Sequence, residues 1–424
     1  MLDIQFIREH RSVVEEAMRV KGESDRTLVQ QVVERDESWR SSTTQLDELR
    51  AESNRKAKQI GQLMASGEKE KATALIAETG TMKQQIKDLE EKVRRLEEER
   101  ESLLLRIPNI PHPSVPIGST EEENKVIHQW GDPLEREWRE SHWELADANH
   151  WIDFERGVKV AGAGFPFYLG ALARLQRLLI TFFIDEAVKE GYLEMEPPFF
   201  VNEESARGTG QIPDKEDMMY VVPRDGFMAI PTAEVPVTNF HRDEILSPGD
   251  LPRKYVAYTP CWRREAGSYG KDVRGLNRLH QFNKVELVHI VHPDHSYDEL
   301  ERLRSHAEGL LEKLELPYRT LLMCTGDMGF TQSKKYDLEV WSPGQERWLE
   351  VSSCSNFEAF QARRLQLRTR NEKGVPMPVH TLNGSGLALP RIVAALLETF
   401  QTEKGDVRLP KALQGLAGTE TLLG

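Results

Sequence analysis

Two long stretches with apolar residues at every third or fourth position dominate the first quarter of the chain. The first begins near Val29, the second ends near Leu103, and the segment ASGEKEK around Gly67 separates them. Two helices with such a stripe, joined by a short turn, pack as an antiparallel coiled coil. The pattern therefore predicts a helical hairpin over residues 26–106. Its first run places these apolar side chains between the helices: Val29, Val32, Trp39, Leu46, Ala57, Ile60 and Met64.

A proline-rich segment follows the second run and predicts a domain boundary. IPNIPHPSVPIG, residues 107–118, holds four prolines. Proline lacks a backbone N–H and clashes with the preceding helical turn, so the helix cannot continue through this segment. We therefore expect an N-terminal helical domain over residues 1–110 and a second domain over residues 111–424.

The composition indicates in which compartment the protein works and does not exclude RNA as a partner. The net charge is −13, yet residues 26–106 hold 16 basic and 16 acidic side chains, so the hairpin itself is neutral and RNA binding is not excluded. No run of about 18 apolar residues is present and the N-terminus lacks a signal-peptide pattern, so we expect a cytoplasmic protein without a membrane span. Cys261, Cys324 and Cys354 are far apart in sequence, so we expect buried thiols and neither a disulfide framework nor a thiolate zinc site.

Residues 255–291 alternate apolar and polar residues at both ends, with a Gly-rich basic middle, and predict a long β-hairpin. Arg263 and Glu265 close its first strand, while Phe282 and Glu286 lie on the returning strand. An arginine fork matches phosphate oxygens and an exposed Phe offers a face to a nucleobase. A nucleotide polyphosphate on an antiparallel sheet is one interpretation of this set. A surface hairpin with ordinary charges is the other, and the loop cations Lys271, Arg274 and Arg278 fit both.

The complete string CWRREAGSYGKDVRGLNRLHQF resembles motif 2 of class II aminoacyl-tRNA synthetases, in the form found in seryl-tRNA synthetases. On this resemblance motif 2 covers residues 258–290. GYLEMEPPFFVN, near residues 191–202, resembles motif 1, and TLNGSGLALPRIVAALLETF, residues 381–400, resembles motif 3. The resemblance implies an α+β fold, in which a six- to seven-stranded antiparallel sheet is flanked by helices and carries the coiled-coil arm at its N-terminus. It also implies a homodimer formed through motif 1.

The resemblance assigns the site residue by residue. It implies that Arg263, Arg391 and Glu350 are catalytic. The residues implied to bind serine are Thr232, Glu234, Arg263, Glu286 and Ser385, and those implied to bind ATP are Arg263, Glu265, Phe282, Glu350, Ser353 and Arg391. Thr232 and Glu234 could equally be a helix cap and a first-turn carboxylate.

Two further predicted strands, KKYDLEVW and ERWLEVSSCSN, contain candidate metal ligands. A carboxylate beside a polyphosphate needs a bridging cation, and Mg²⁺ prefers oxygen ligands. The resemblance assigns Mg²⁺, held with ATP, to Glu350 and Ser353, whereas Glu339 fits a solvent-facing strand residue. His289, His292 and His295 are close in sequence, but Pro293 interrupts their strand, so we expect no structural zinc.

The implied activity is the two-step loading of L-serine. ATP converts serine to seryl-adenylate, and the seryl group then moves to the 3′ end of tRNA(Ser); the sequence leaves tRNA(Sec) open as a second substrate. The resemblance assigns the arm to tRNA binding, and the candidate contacts near its turn are Arg50, Arg55, Lys56, Lys69 and Lys71. Two alternatives are a synthetase-like ligase that loads an amino acid onto a carrier protein, and a non-catalytic interaction protein on the same core. The long arm argues against the first, and the retention of Arg263, Glu265 and Arg391 argues against the second.

Overall fold

The computed structural model describes residues 1–135, 137–213, 217–265 and 274–422. The chain divides into two compact units, Met1–Pro108 and Asn109–Gly424. None of the described helices is long and apolar enough to cross a membrane.

The N-terminal unit is helical. Its helices are α1 (Ile4–Glu9), α2 (Arg11–Val20), α3 (Leu28–Ala65) and α4 (Lys69–Leu104). The Asp3 carboxylate caps α1 by accepting hydrogen bonds from the backbone N–H groups of Gln5 and Phe6. Gly67 has φ +80° in the turn between α3 and α4, a conformation that favours glycine. The predicted helical hairpin is therefore confirmed.

The expected register of α3 is wrong at its distal end. Ala57 and Met64 are exposed, whereas Lys56, Ile60 and Leu63 are half-buried. The inner positions run Ser53, Lys56, Ile60 and Leu63. Ile60 is an inner residue as expected, whereas Lys56 and Leu63 occupy the inner positions that we expected for Ala57 and Met64. Lys56 accounts for the error, because its aliphatic stem faces inward while its ammonium reaches Glu78 at 2.6 Å.

A buried carboxylate holds the base of the hairpin together. Asp36 on α3 is 1% exposed, and arginines from three helices converge on it. Arg8 of α1 lies 3.2 Å away, Arg40 of α3 2.9 Å and Arg100 of α4 3.1 Å. The Arg100 guanidinium also lies 3.9 Å from the ring centre of Trp39. Asp36 thereby fixes α1, α3 and α4 to one another.

The second unit is built on a mixed sheet. The strands are β1 (Lys125–Trp130), β2 (Ile152–Asp153), β3 (Phe167–Tyr168), β4 (Leu193–Glu194), β5 (Phe200–Asn202), β6 (Val221–Val222), β7 (Phe227–Ala229), β8 (Arg253–Trp262), β9 (Gln281–Val291), β10 (Tyr318–Leu322), β11 (Lys334–Ser342), β12 (Arg347–Asn356), β13 (Arg368–Arg370), β14 (Pro376–Pro378) and β15 (His380–Ala388). Among the described residues eight strands form the main sheet, in the order β1-β10-β11-β12-β15-β9-β8-β4. Neighbours are antiparallel except β4 and β8, which are parallel. We expected six or seven strands, all antiparallel; the short strands at both edges account for the difference.

Helices cover the sheet. They are α5 (His142–Ala148), α6 (Phe154–Ala161), α7 (Gly170–Lys189), α8 (Glu203–Thr209), α9 (Glu234–Asn239), α10 (Ser296–Lys313), α11 (Phe360–Arg364), α12 (Leu389–Phe400) and α13 (Lys411–Ala417). Leucines of α7, α10 and α12 join buried strand residues such as Leu287 and Leu338 in one core cluster. Burial of this apolar surface fixes α12 against the sheet, and α12 carries the motif 3 arginine.

The three cysteines and His289 are buried in the core. Cys261, Cys324 and Cys354 are buried free thiols, as predicted. His289 is 1% exposed, and its Nε2 lies 2.7 Å from the Tyr192 hydroxyl. Its Nδ1 faces Glu299 at 3.2 Å, so His289 acts as a packed core histidine.

Candidate active site

The predicted long hairpin is formed by β8 and β9, which pair from Arg253–Ile290 to Trp262–Gln281. A cavity of about 340 Å³ opens over this pair and over β12, β15 and the start of α12. Seven residues assigned from the motifs line it: Arg263, Glu265, Phe282, Glu350, Ser353, Ser385 and Arg391. Residues of motif 2, of motif 3 and of β12 thus meet at one cavity.

Arg263 and Phe282 form the floor of the cavity. They lie at the ends of the paired strands, and the Arg263 guanidinium is 5.2 Å from the centre of the Phe282 ring. Arg263 Nε donates a hydrogen bond to the Pro231 carbonyl at 3.3 Å. Glu265 has φ +47° and accepts a hydrogen bond from Arg278 at 3.0 Å. The predicted loop residue Lys271 lies outside the described residues.

Arg391 is held by backbone carbonyls at the opposite wall. Its Nε donates to the Asn277 carbonyl at 3.2 Å and its Nη1 to the Glu350 carbonyl at 2.7 Å. The Glu350 carboxylate lies 3.7 Å from the same guanidinium. Two carbonyl partners orient the arginine without neutralising its charge, which suits it to bind an anion.

A β-bulge brings Glu350 and Ser353 to the same face of β12. Odd spacing along a strand normally points two side chains to opposite faces. Glu339 pairs with Glu350 and Leu338 pairs with Ser352, so Val351 is an extra residue that shifts the alternation by one. Both the Glu350 carboxylate and the Ser353 hydroxyl therefore line the cavity.

Glu350 can serve as a cation ligand. Although desolvation raises the pKa of its carboxyl, the charges of Lys335, Arg391 and Arg263 outweigh this effect and lower the pKa. The carboxylate therefore stays ionised at neutral pH. An ionised carboxylate beside a serine hydroxyl in a cavity rich in arginine suits Mg²⁺ bound together with phosphate.

The remaining residues assigned to serine form a buried network behind the cavity wall. Lys284 Nζ contacts the Glu286 carboxylate at 2.5 Å and donates to the Thr232 hydroxyl at 2.9 Å. Asn383 Nδ2 donates to both Glu286, at 3.0 Å, and Glu234, at 2.8 Å. Thr232, Glu234 and Glu286 are each no more than 6% exposed. Lys284 connects them to the cavity, because its own side chain lines the wall.

Burial shifts the acidity of both carboxyls in this network. Desolvation and the nearby charge of Glu286 raise the pKa of Glu234 to about 7. Desolvation likewise raises the pKa of Glu286, against the opposing effect of Lys284. Gln361 Nε2 donates to Glu234 at 2.6 Å. The two carboxyls are therefore prepared for a cationic ligand that would favour their ionised forms.

Sequence reasoning missed Lys284, Asn383 and Gln361. Lys284 and Asn383 lie inside the motif strings, where alternation along β9 and β15 could have marked them as sharing a face with Glu286 and Ser385. Gln361, on α11, has no such signal. Its role depends on a tertiary contact between α11 and the helix that Glu234 begins.

The basic residues assigned to the arm differ in their contacts. Arg50 pairs with Glu90 at 2.7 Å, Lys56 with Glu78 at 2.6 Å and Lys71 with Glu68 at 2.6 Å. Arg55 and Lys69 are exposed, and no ion pair involves either of them within the described residues. Within this set, the structure therefore distinguishes cations that form an ion pair from cations that form none among the described residues.

The cavity and its sheet define the class of protein. A mainly antiparallel sheet that carries an arginine on each side of a nucleotide-sized cavity is the core of a class II aminoacyl-tRNA synthetase. Residues 220–400 match the model described as the tRNA synthetase class II core domain (G, H, P, S and T). Residues 1–111 match the model of the seryl-tRNA synthetase N-terminal domain.

Full-length relatives specify the family. The serine–tRNA ligase of Salinibacter ruber is 59% identical over 99% of this chain and 98% of its own length. The crystal structure of the seryl-tRNA synthetase from Pyrococcus horikoshii complexed with ATP is 36% identical, with a TM-score of 0.92 over 100% of this chain and 99% of that one. The cytoplasmic serine–tRNA ligase of Naegleria fowleri, solved with AMP, is 29% identical with a TM-score of 0.86, over 100% and 98% of the two chains. The chain belongs to the seryl-tRNA synthetase family and is a serine–tRNA ligase.

Proposed function

We propose that the cavity holds ATP between its two arginines and that serine lies against the buried network. Arg263 binds the α-phosphate together with the serine carboxylate, and Arg391 binds the γ-phosphate. Phe282 stacks on the adenine and Glu265 accepts from its amino group. The observation that carries this proposal is the meeting of Arg263 of motif 2, Glu350 of β12 and Arg391 of motif 3 in one cavity.

The first step forms seryl-adenylate. The serine carboxylate oxygen attacks the α-phosphorus, and the bond from that phosphorus to the bridging oxygen breaks, so pyrophosphate leaves. The attacking carboxylate is already ionised at neutral pH, so the step needs no protein base. The chain contributes position and positive charge: Arg263 aligns nucleophile and phosphate, while Arg391 stabilises the leaving pyrophosphate.

Serine recognition falls to the buried network. Glu286 and Glu234 attract the ammonium group, while Thr232 and Ser385 offer hydroxyl and carbonyl partners to the small polar side chain. In the structure the Lys284 ammonium lies beside Glu286. Serine binding therefore requires Lys284 to move aside, which leaves it near the substrate carboxylate and phosphate.

Glu350 and Ser353 hold Mg²⁺ with the nucleotide. The ionised Glu350 carboxylate and the Ser353 hydroxyl are suitable oxygen donors on one face of β12. Bound there, Mg²⁺ neutralises phosphate charge and lowers the cost of separating pyrophosphate.

In the second step the 3′-terminal hydroxyl of tRNA(Ser) takes the seryl group and AMP leaves. The helical arm binds this tRNA by shape and phosphate contacts, as is usual for structured RNA. Arg55 and Lys69 are the first candidates among the assigned cations, because they are exposed and unpaired in the described arm.

The enzyme acts as a cytoplasmic homodimer. The similarity to the cytoplasmic serine–tRNA ligase of Naegleria fowleri supports the compartment. Exposed apolar side chains in the motif 1 region support the dimer, since Leu193 is 62% exposed on the edge strand β4 and Phe200 is 49% exposed on β5. Leu193→Lys should halve the mass measured by light scattering, whereas Leu416→Lys, at a 43% exposed position on α13, should leave it unchanged. An unchanged mass for Leu193→Lys would contradict this interface.

Pyrophosphate exchange into ATP with serine, threonine, alanine or glycine tests the activation step. We expect exchange to depend on serine, and Arg263→Ala to lower it by about a hundredfold or more. Arg253→Ala is the matched control, because Arg253 begins the same strand and pairs with Asp250 outside the cavity. Exchange with another amino acid, or transfer to a carrier protein and not to tRNA, would support the carrier-ligase alternative.

Magnesium titration of the same exchange tests the metal ligands. We expect Glu350→Gln and Ser353→Ala to raise the Mg²⁺ concentration needed for half-maximal rate. Glu339→Gln serves as control, because Glu339 is opposite Glu350 in the register but pairs with Arg319 at 2.5 Å. An identical Mg²⁺ requirement for Glu350→Gln and the parent protein would exclude Glu350 as a ligand.

A further inference from the structure

Another buried carboxylate lies behind the ATP cavity, on the same helix as Arg391. Glu398 of α12 is 0% exposed. Its Oε1 accepts from the His142 backbone N–H at 3.0 Å, from His142 Nδ1 at 2.8 Å and from Gln345 Nε2 at 3.1 Å. Its Oε2 accepts from the Gly344 N–H at 3.1 Å and from the Ser342 hydroxyl. One carboxylate thereby joins α5, α12 and the turn between β11 and β12.

Two of the side chains that donate to Glu398, those of His142 and Gln345, also form hydrogen bonds with the wall of the cavity. Because His142 Nδ1 donates to Glu398, its Nε2 carries the lone pair, and it accepts the Leu276 N–H at 2.9 Å. Gln345 Oε1 accepts from Asn277 Nδ2 at 2.8 Å. Leu276 and Asn277 both line the ATP cavity. Glu398 therefore fixes a segment of the wall through two separate side chains.

The same segment of the wall also forms a hydrogen bond with Arg391. The Asn277 carbonyl accepts from Arg391 Nε at 3.2 Å. Arg391 precedes Glu398 by seven residues on α12, about two helical turns, so the two side chains leave the same face of the helix. A ring of contacts thus runs from Glu398 through Gln345 and Asn277 to Arg391 and returns along α12.

Close packing leaves the backbone around Gly275 little room to move. Gly275 has φ +65°, and a Cβ there would lie 2.3 Å from His142 Nε2 and 2.8 Å from the Trp143 ring. The Arg274 guanidinium lies 4.9 Å from the centre of the same ring. Glu398 orients the ring of His142, and this ring is therefore in direct contact with the backbone at Gly275.

We infer that Glu398, His142 and Gln345 are positioning residues for ATP activation: they hold the Leu276–Asn277 wall and, through the Asn277 carbonyl, the guanidinium of Arg391. The inference rests on the proposed role of Arg391 at the γ-phosphate. None of the three reaches the cavity lining itself. Their effect on the reaction passes through Arg391 and the backbone next to it.

Steady-state pyrophosphate exchange tests the inference, with ATP and serine each varied. Gln345→Met keeps the side-chain length and removes the amide contacts to Glu398, Ser342 and Asn277 at a partly exposed site, so it is the variant that best retains the fold. We expect kcat/KM for ATP to fall by about tenfold to a hundredfold, because small displacements of a positioned group cost this much. KM for serine should remain unchanged. His142→Leu should behave similarly, and His142→Gln, which keeps a donor and an acceptor, should recover part of the loss.

Glu308→Gln is the matched control. Glu308 is a buried carboxylate of α10 that accepts from the Thr320 hydroxyl at 2.7 Å and pairs with Arg304, away from the cavity. It should lower thermal stability without changing KM for ATP. If Gln345→Met and His142→Leu lower stability alone, or raise both KM values equally, the three residues are structural and the inference is overturned.

Arg391→Ala separates this inference from the proposed function. Unchanged exchange in Arg391→Ala would refute the proposed role of the arginine and the positioning role that depends on it. A large loss in Arg391→Ala combined with an unchanged kcat/KM for ATP in Gln345→Met would refute positioning alone. In the double variant Gln345→Met with Arg391→Ala, we expect the loss of Arg391→Ala by itself, because residues acting through one another are not additive.

Discussion

At the scale of single residues, the proposed serine-binding pair Glu234 and Glu286 would couple serine binding to proton release. Burial and the proximity of Glu286 raise the pKa of Glu234 to about 7, and the positive charges of Lys284 and Arg263 act against this rise. Below that pH the carboxyl is protonated and attracts an ammonium group weakly. If serine binds at this pair as proposed, its binding in slightly acidic solution releases a proton.

We predict that KM for serine falls as pH rises from 6 towards 8. The sign follows from the raised pKa: the protonated carboxyl dominates below about 7, so each unit of acidification below it should raise KM up to about tenfold. Glu234→Gln should have a higher KM that is nearly independent of pH over this range. Calorimetry in two buffers of different ionisation enthalpy measures the released proton directly. A serine KM that is equal at pH 6 and pH 8 in the parent protein would refute the linkage.

The residues that sequence reasoning found and missed differ in how they are held. Arg263, Phe282 and Arg391 lie at fixed places in long ordered strings, so their meeting at one cavity could be predicted. Gln345, Glu398 and His142 lie in three segments far apart in sequence, and only the packing of α12 on the sheet brings them together. A buried polar network leaves no periodic pattern in any one of its segments.

At the scale of elements, a single inserted residue decides what β12 presents to the cavity. Period-two alternation predicts Glu350 and Ser353 on opposite faces, and the bulge at Val351 reverses that prediction. In the arm, too, the repeat of apolar residues did not predict every inner position. The sequence predicted its apolar stripe correctly near Val29 and Leu46, but Lys56 and Leu63 occupy the inner positions that were expected for Ala57 and Met64. Helices and strands could be predicted from period, whereas these local phase changes could not.

The base of the arm depends on Asp36, and we predict that Asp36→Ala loosens it. The substitution leaves Arg8, Arg40 and Arg100 without their shared carboxylate. Removing one partner of a buried ion pair costs about 3 kcal/mol. Hydrogen exchange by mass spectrometry should show faster exchange at the start of α3 and the end of α4. Glu90→Ala, which breaks the exposed pair with Arg50, is the control and should change exchange little.

At the scale of the whole molecule, the division at Pro108 and Asn109 separates two kinds of chemistry. Every residue assigned to ATP and serine lies in the second unit, and every cation assigned to tRNA lies in the first. The two half-reactions should therefore respond to different substitutions. On these assignments, adenylate formation should need no contact from the arm, whereas transfer should depend on tRNA binding.

We predict that Arg55→Ala combined with Lys69→Ala impairs only transfer. Serine-dependent pyrophosphate exchange should keep its parent rate, while kcat/KM for tRNA(Ser) should fall. If each cation contacts one phosphate, the slope of log kcat/KM against log salt should flatten by about two. Lys92→Ala is the control, because Lys92 is an exposed cation on α4 nearer the base of the arm.

The salt slope is the deciding observation, because a general disturbance of the arm would lower tRNA affinity without removing counterion release. A fall in kcat/KM with an unchanged slope would assign the loss to the shape of the hairpin and remove Arg55 and Lys69 from the phosphate contacts. Unchanged charging in the double variant would leave the paired cations Arg50, Lys56 and Lys71, which would have to exchange their carboxylate partners for phosphate. Such an exchange costs the existing ion pairs, so the unpaired cations are the ones that RNA should engage at least cost.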